Sequence, residues 1–158
     1  MPDKILTQIH NKLLNQGKTI SVAESCTGGL LCGQLTKNPG ASGYFLLGIV
    51  AYNNNFKEKI LRVPAKLISR YGAVSRQVAI SMADNIREKT KADLGISITG
   101  VAGPAGATAN KPVGTVFICL SSRNKRSCRA FSFQGNRQSI RKKTIQKALR
   151  LLCAHLSL

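Results

Sequence analysis

Two short segments of the sequence hold side chains suited to nucleophilic chemistry, and the first is Ser25-Cys26-Thr27, followed by Gly28-Gly29. A strand that ends in such a turn and opens a helix directs free backbone N–H groups and the positive end of the helix dipole at one point. This arrangement binds an anion, or stabilises the oxyanion formed when an amide or ester is attacked. The alternative is a purely structural strand–turn–helix connection with Ser25 or Thr27 as N-cap.

The second segment contains Tyr52 and, five residues later, Lys57, which we expect in the first turn of a helix. A serine nucleophile needs a base, and a lysine can serve where burial lowers its pKa enough for the amine to be neutral. Tyr52 would then relay a proton or orient the amine. The alternative is that Lys57 is an ordinary solvated helix residue.

A third segment, the Gly/Pro-rich loop 100–112, begins after Thr99 and includes Gly100, Gly103 and Pro104. Glycines let the backbone come close to a ligand, so this loop is a candidate for substrate binding. The alternative is a structural turn.

The hydrophobic pattern predicts the elements that must position these segments. Predicted strands cover 19–23, 44–52, 93–99, 113–120 and 129–133, and 44–52 reads as a strand buried on both faces. Predicted helices cover 3–16, 27–36, 64–71, 76–90 and 137–156, with a further helix capped by the asparagines 53–55. Pro64 and Gly72 are expected to start and end the helix 64–71, and Ser75 to cap the helix 76–90. A basic turn over 121–127 is expected between the last two strands. Helices interspersed with buried strands predict a single α/β domain over 1–158, three layers deep, with a mixed sheet covered by helices on both faces. Sites in open α/β sheets lie beyond the carboxyl ends of the strands, so loops 24–29, 52–57 and 99–112 are expected to meet.

The composition limits the classes of protein that the chain can represent. It has 158 residues, 43% of them hydrophobic, without the run of about 18 apolar residues that a membrane span needs. The N-terminus lacks the pattern of a signal peptide, which predicts a cytoplasmic protein. Five cysteines without metal-ligand spacing and two histidines predict reduced thiols and no metal site.

The net charge of +18 comes from 24 Lys and Arg against six acids, the last of which is Asp93. Such a surface attracts nucleic acid through charge alone. Few aromatic residues are available to stack bases, and they are not interleaved with the basic runs. An alternative function is therefore a catalytically inactive nucleotide- or nucleic-acid-binding module that uses the basic C-terminal half.

Five motifs occur in a fixed order along nearly the whole chain: AESCTGG (23–29), VAYNNNFK (50–57), GAVS (72–75), ITGVAGPAGAT…KPVGTV (98–116) and GNRQSIR (135–141). Together they resemble the CinA C-terminal domain family of nicotinamide-nucleotide amidohydrolases, also called competence/damage-inducible proteins, in its stand-alone form. One departure is Asn136, where the family usually has an aspartate that would hold Arg137.

The resemblance implies hydrolysis of the carboxamide of nicotinamide mononucleotide to nicotinic acid mononucleotide and ammonia, with no metal or cofactor. It implies Ser25 as nucleophile, with Tyr52 and Lys57 as the other catalytic residues. It also implies a functional arginine, which we match to Arg141 with Arg137 as the alternative.

For this reaction we expect the N–H groups around Cys26, Thr27, Gly28 and Gly29 to hold the oxyanion. Arg141 and the N–H groups of loop 100–108 are expected to bind the phosphate.

A rival nucleophile is Cys26, since the residue types alone do not separate Ser25, Cys26 and Thr27. Small and apolar residues on the helices suggest a homo-oligomer.

Overall fold

The structure, a computed structural model, describes residues 2–157. Its six helices within that range, numbered in chain order, are α1 Pro2–Gln16, α2 Leu30–Leu35, α3 Asn54–Lys59, α4 Ala65–Tyr71, α5 Arg76–Thr90 and α6 Arg137–His155. Its five strands are β1 Ile20–Glu24, β2 Phe45–Val50, β3 Leu94–Gly100, β4 Thr115–Ser122 and β5 Arg126–Ser132, and a short 3₁₀ helix covers Ala41–Gly43.

The five strands form one mixed sheet in the order β2-β1-β3-β4-β5. β1 runs parallel to both β2 and β3, whereas β4 runs antiparallel to β3 and to β5. The carboxyl ends of β1, β2 and β3 therefore lie at the same edge of the sheet. This edge receives the three loops that the sequence singles out.

Helices cover both faces of the sheet, which confirms the predicted three-layer α/β architecture. On one face α1 and α6 pack together, and their apolar residues, such as Leu13 and Leu152, join the largest core cluster. On the other face α5 packs against β1, β3 and β4, and it buries Val78, Met82 and Ile86. None of the helices within residues 2–157 has both the length and the apolar character needed to cross a membrane.

Local sequence signals set several helix boundaries as predicted. The Ser75 side chain accepts a hydrogen bond from the Val78 amide at the start of α5. The Asn53 side chain likewise accepts from the Asn55 amide at the start of α3. Pro64 and Gly72 flank α4, because proline suits the start of a helix and glycine its end.

Two predictions about the strands and the first turn are wrong. β2 is an edge strand whose side chains alternate between half-buried and exposed, so the apolar run 44–52 is not covered on both faces. The helix predicted at 27–36 begins only at Leu30, and its N-cap is Gly29 rather than Ser25 or Thr27. Gly29 has a φ of 95°, a left-handed conformation that favours glycine.

The outer hairpin also differs from its predicted bounds. β4 extends to Ser122 and β5 begins at Arg126, whereas the sequence suggested a basic turn from 121 to 127. The Ser122 amide donates to the Lys125 carbonyl at 2.8 Å, so the connection is a tight turn. The basic residue Arg126 therefore belongs to β5 rather than to the turn. An edge strand tolerates such a residue because one of its sides is exposed to solvent.

Gly95 lies where α5 comes closest to the sheet, and its replacement tests this packing. A Cβ at Gly95 would lie 2.2 Å from the Ala83 carbonyl oxygen of α5. We expect Gly95→Ala to lower the free energy of unfolding by about 1–3 kcal/mol in urea denaturation, since overpacking forces the backbone to shift. The control is Gly33→Ala in α2, where a Cβ meets nothing within 4 Å and the change should raise stability by about 0.5–1 kcal/mol. Equal stabilities of the two variants would contradict the close contact.

Candidate functional site

The three loops meet in a pocket of about 240 Å³ beyond the carboxyl ends of β1, β2 and β3. Ser25 follows β1, Tyr52 and Lys57 follow β2, and the loop after Thr99 closes the opposite wall. The pocket lining consists of Ser25, Cys26, Tyr52, Asn54, Lys57, Ala73, Val74, Thr99, Gly100, Val101, Ala102, Gly103, Ala105, Gly106 and Arg137. The expectation that these loops come together is confirmed.

At the centre of the pocket, the Lys57 amine donates a hydrogen bond to the Ser25 hydroxyl oxygen at 3.1 Å. Its other acceptors are the Tyr52 carbonyl at 3.3 Å and the Asn54 side-chain oxygen at 3.5 Å. Lys57 is only 1% exposed, so it is not the solvated helix residue of the alternative interpretation. Within residues 2–157, all hydrogen-bonding partners of this amine are uncharged.

Burial of Lys57 lowers the pKa of its amine. Desolvation lowers the pKa of the Lys57 amine below its usual 10.5, and the nearby Cys26 only partly offsets this by raising it. Removing the amine from water disfavours its charged form, and no carboxylate compensates. The geometry thus presents a hydroxyl to an amine whose pKa is shifted towards the neutral form, which is the direction a serine–lysine pair requires.

The neighbours of Ser25 lie in environments less suited to attack. Burial, with a smaller contribution from the Glu24 carboxylate, raises the pKa of the Cys26 thiol to about 11 against the opposing effects of its own amide and two arginines. Cys26 therefore stays a thiol at neutral pH. The Thr27 hydroxyl is buried and has no hydrogen-bond partner among the described residues. The hydrogen bond from the Lys57 amine distinguishes Ser25 from both.

The turn that carries Ser25 is fixed by Glu24, a residue that the sequence analysis did not single out. The fully buried Glu24 carboxylate accepts hydrogen bonds from the Gly29 amide at 3.1 Å and the Cys32 amide at 2.8 Å. The protein's own carboxylate therefore occupies the start of α2, which corrects the expectation of an open helix N-terminus for an external anion. The signal was an acidic residue at the end of a buried strand, directly before the turn.

The amides available to an oxyanion are fewer than expected. The Gly28 amide donates to the Ser25 carbonyl at 3.0 Å, and Glu24 already engages the Gly29 amide. The Cys26 and Thr27 amides have no other residue as acceptor in the described part of the chain. Of the four predicted donors, Cys26 and Thr27 remain candidates and the two glycines do not.

Tyr52 differs from its expected arrangement because its side chain points away from the amine. The side chain is 56% exposed, and its hydroxyl accepts a hydrogen bond from Arg137 at 2.7 Å. Its backbone carbonyl, instead of its hydroxyl, contacts Lys57. The other arm of the Arg137 guanidinium donates to the Gly103 carbonyl at 2.9 Å, so Arg137 joins the second loop to the third.

The two candidate arginines contact different loops. Arg137 lines the pocket, whereas Arg141 donates to the Thr27 carbonyl at 3.0 Å and lines a separate groove of about 350 Å³ between α2 and α6. The alternative match, Arg137, is thus the arginine that the structure brings to the pocket. Asn136 caps α6 by accepting from the Ser139 amide, and Arg137 is held without an aspartate at that position.

The third loop contributes backbone groups more than side chains. The Thr99 hydroxyl is buried and donates to the Ala73 carbonyl at 2.9 Å, which fixes the loop before α5. Gly100 lies so close to the adjacent strand that a Cβ would be 2.9 Å from the Thr115 carbonyl oxygen. Among the described residues, the amides of Ala102, Gly103, Ala105 and Gly106 have no acceptor, although these residues line the pocket. Within residues 2–157, no group of three or more His, Cys, Asp or Glu is placed to hold a metal ion.

Asn54 is a second residue whose role the sequence analysis did not recognise. The asparagine run 53–55 was interpreted as capping, and Asn53 does cap α3. Asn54 instead directs its side-chain oxygen towards the Lys57 amine at 3.5 Å. Its spacing of three residues from a lysine in the same helix was the available signal.

Comparisons with known proteins identify the family of this chain. The family model for the CinA C-terminal domain matches residues 2–156. A CinA-like protein of Desulfotalea psychrophila is 49% identical over 144 residues, which cover 91% of this chain and 35% of that protein. The chain spans about a third of the length of the curated relatives it matches.

Solved structures show the same fold over nearly the whole chain. The competence/damage inducible protein CihA from Agrobacterium tumefaciens is 35% identical, with a TM-score of 0.95 and coverage of 99% of this chain and 96% of that one. A competence or damage-inducible protein from Enterobacter asburiae is 31% identical, with a TM-score of 0.95 and coverage of 99% and 98%. Since the family model matches nearly the whole chain and solved members share its fold, the chain belongs to the CinA C-terminal domain family.

Proposed function

We propose that the protein hydrolyses the carboxamide of nicotinamide mononucleotide, with Ser25 as the nucleophile and Lys57 as its base. The observation that carries this proposal is the 3.1 Å hydrogen bond between the two side chains, made by an amine that is 1% exposed. Membership of the CinA family supports an amidohydrolase-like role. The identity of the substrate comes from the resemblance of the five sequence motifs.

In the proposed reaction, the neutral Lys57 amine takes the proton from the Ser25 hydroxyl as its oxygen attacks the carboxamide carbon. The resulting lysine ammonium then gives the proton to the departing nitrogen, which leaves as ammonia. Water cleaves the acyl-enzyme with the same amine as base and releases nicotinic acid mononucleotide. The acceptors at Tyr52 and Asn54 orient the amine during both steps.

The oxyanion of the tetrahedral intermediate would lie against the amides of Cys26 and Thr27. Both follow the nucleophile directly, and neither has another acceptor in residues 2–157. The Ser25 carbonyl holds the Gly28 amide and Glu24 holds the Gly29 and Cys32 amides, which fixes the turn and leaves the first two amides free for the substrate. Prearranged donors of this kind stabilise developing charge without reorganisation during the reaction.

The substrate phosphate would bind between Arg137 and the third loop. Arg137 lines the pocket, and the amides of Ala102, Gly103, Ala105 and Gly106 lie on the same wall without internal acceptors. A guanidinium can bind two phosphate oxygens, and adjacent backbone amides add further donors.

Ammonia release from nicotinamide mononucleotide tests the proposed roles directly. We expect Ser25→Ala and Lys57→Met each to lower kcat/KM by at least about 1000-fold, because the nucleophile and its base act as one unit. For the wild type, kcat/KM should rise with pH through the lowered pKa of Lys57 and level off above it.

The matched control is Cys26→Ala, which should keep most of the activity. Cys26 adjoins Ser25, but burial raises the pKa of its thiol to about 11. If Cys26→Ala abolished turnover while Ser25→Ala retained it, the serine mechanism would be wrong. Absence of ammonia release by the wild type above that of Ser25→Ala would defeat the enzymatic function altogether.

A second prediction concerns stability, because burying the charged Lys57 amine lowers the free energy of unfolding. The folded state holds Lys57 at a lowered pKa, so between that pKa and the usual 10.5 the unfolded chain binds more protons and stability rises with pH. Below this window both states are protonated, and folding carries the full cost of the buried charge. Lys57→Met should therefore be more stable than the wild type at neutral pH, with a difference that shrinks as pH approaches 10.5. Urea denaturation over a pH series measures this, and a constant difference would show that the amine is not desolvated.

A third prediction separates the two arginines. Arg137→Gln should raise KM for nicotinamide mononucleotide by about 10- to 100-fold, because a hydrogen bond to a charged group contributes about 1.5–3 kcal/mol. It should change KM for nicotinamide riboside, which lacks the phosphate, much less. Arg141→Gln is the matched control, one helical turn away and outside the pocket. The reverse pattern would assign phosphate binding to Arg141.

A further inference from the structure

Cys119 and Cys128 face each other across the outer hairpin of the sheet. They are partners in the β4–β5 register. The turn bond from the Ser122 amide to the Lys125 carbonyl makes 122/125 a hydrogen-bonded pair, and such pairs recur at every second position of an antiparallel ladder. Cys119/Cys128 is thus a pair without ladder bonds. Consistently, the Cys128 carbonyl points outward and accepts a hydrogen bond from the Arg76 guanidinium.

This type of pair brings the two sulfur atoms within bonding reach. Cα atoms in pairs without ladder bonds are about 4.5 Å apart, and their side chains approach more closely than in the bonded pairs. Disulfides span Cα separations of about 4.4–6.8 Å. A separation of this size lies at the lower end of that range, so the pair meets the Cα requirement for a disulfide, and both cysteines are free thiols in this structure.

The two thiols have complementary environments. Cys119 is 0% exposed and packs with Ala79 and Ala83 of α5, whereas Cys128 is half-buried at the margin of that cluster. The adjacent Cys119 thiol lowers the pKa of Cys128, and the Arg76 guanidinium lowers it further, against the opposing effect of burial. The Cys128 sulfur also lies 4.0 Å from the Arg76 carbonyl oxygen. The Cys128 neighbour and burial raise the pKa of Cys119. The accessible sulfur is therefore the one of the pair that loses its proton more readily.

We propose that Cys119 and Cys128 form a reactive dithiol site that a hydroperoxide converts into an intramolecular disulfide. Neither cysteine lines the Ser25 pocket, so this site is independent of the proposed amide hydrolysis. The arrangement matches that of an accessible attacking thiol with an adjacent resolving thiol.

The oxidation proceeds in two balanced steps. The Cys128 thiolate attacks one peroxide oxygen, the O–O bond breaks, and the products are a Cys128 sulfenic acid and hydroxide, or an alcohol after protonation when the oxidant is an alkyl hydroperoxide. The Cys119 sulfur then attacks the Cys128 sulfur, the S–O bond breaks, and hydroxide leaves as water with the Cys119 proton. The peroxide is reduced by two electrons, and the two thiols are oxidised to one disulfide.

Peptide mapping of the native full chain tests the proposal. Reduced protein is treated with equimolar hydrogen peroxide, its remaining thiols are blocked with N-ethylmaleimide, and trypsin is added without reductant. We expect peptide 92–123, which contains Cys119, to be linked to peptide 127–129, which contains Cys128, at a mass two hydrogens below their sum. The link should occur within monomeric chains and disappear on reduction.

Two variants serve as controls. Cys128→Ser should eliminate the link, whereas Cys153→Ser, which removes another half-buried thiol, should leave it unchanged. Arg76→Gln should slow formation of the link, because it removes the charge beside Cys128. Circular dichroism on each variant verifies folding, and the wild-type experiment depends on no substitution.

Three results would overturn the proposal. The first is oxidation of Cys128 to sulfenic or sulfinic acid with Cys119 recovered as its maleimide adduct, since an adjacent resolving thiol would have reacted. The second is linkage of Cys128 only to cysteines other than Cys119 or to a second chain. The third is recovery of both thiols unreacted after peroxide treatment of the folded wild type.

Discussion

A lysine amine buried among uncharged acceptors is the interaction on which the site depends. Burying an ammonium is unfavourable unless a carboxylate compensates it, and here the acceptors are a hydroxyl, a carbonyl and an amide oxygen. A buried carboxylate does lie in the same turn, but Glu24 is engaged by the Gly29 and Cys32 amides. The chain thus stabilises the turn with Glu24 without providing Lys57 with a charged partner. The consequence is a lowered pKa of the amine beside Ser25.

The parallel half of the sheet explains how residues distant in sequence reach this position. β2, β1 and β3 end at one edge, so their following loops share the pocket, and β4 with β5 extends the sheet on the other side. Lys57 reaches Ser25 because α3 begins directly after β2 and Asn53 fixes its first turn. Arg137 arrives from the last helix and contacts both Tyr52 and Gly103, so the C-terminal helix closes the loops that the sheet assembles.

Local chemistry made part of this fold predictable. Ser75, Asn53 and the Pro64–Gly72 pair specify helix ends through contacts within a few residues, and each lies where the sequence indicated. The wrong predictions concern features that tertiary contacts determine. Hydrophobic periodicity does not reveal that β2 is an edge strand. It also does not reveal that the Glu24 carboxylate binds the Gly29 amide at the start of α2. Arg137 and Arg141 are one turn apart on the same helix, so spacing could not distinguish them. Only the packing of α6 against the loops distinguishes Arg137 from Arg141.

The contrast between Cys26 and Cys128 shows how environment assigns chemistry to identical side chains. Cys26 lies beside the nucleophile, yet burial and the Glu24 carboxylate raise the pKa of its thiol and favour the protonated form. Cys128 lies far along the sheet, where the Cys119 thiol and the Arg76 guanidinium lower its pKa. In the pocket, the same desolvation that raises the pKa of a thiol lowers the pKa of an amine, because burial disfavours whichever form is charged. A buried, acid-free pocket therefore favours a serine–lysine pair over a cysteine nucleophile, and thiol reactivity is expected only where a cation and a second thiol adjoin the surface.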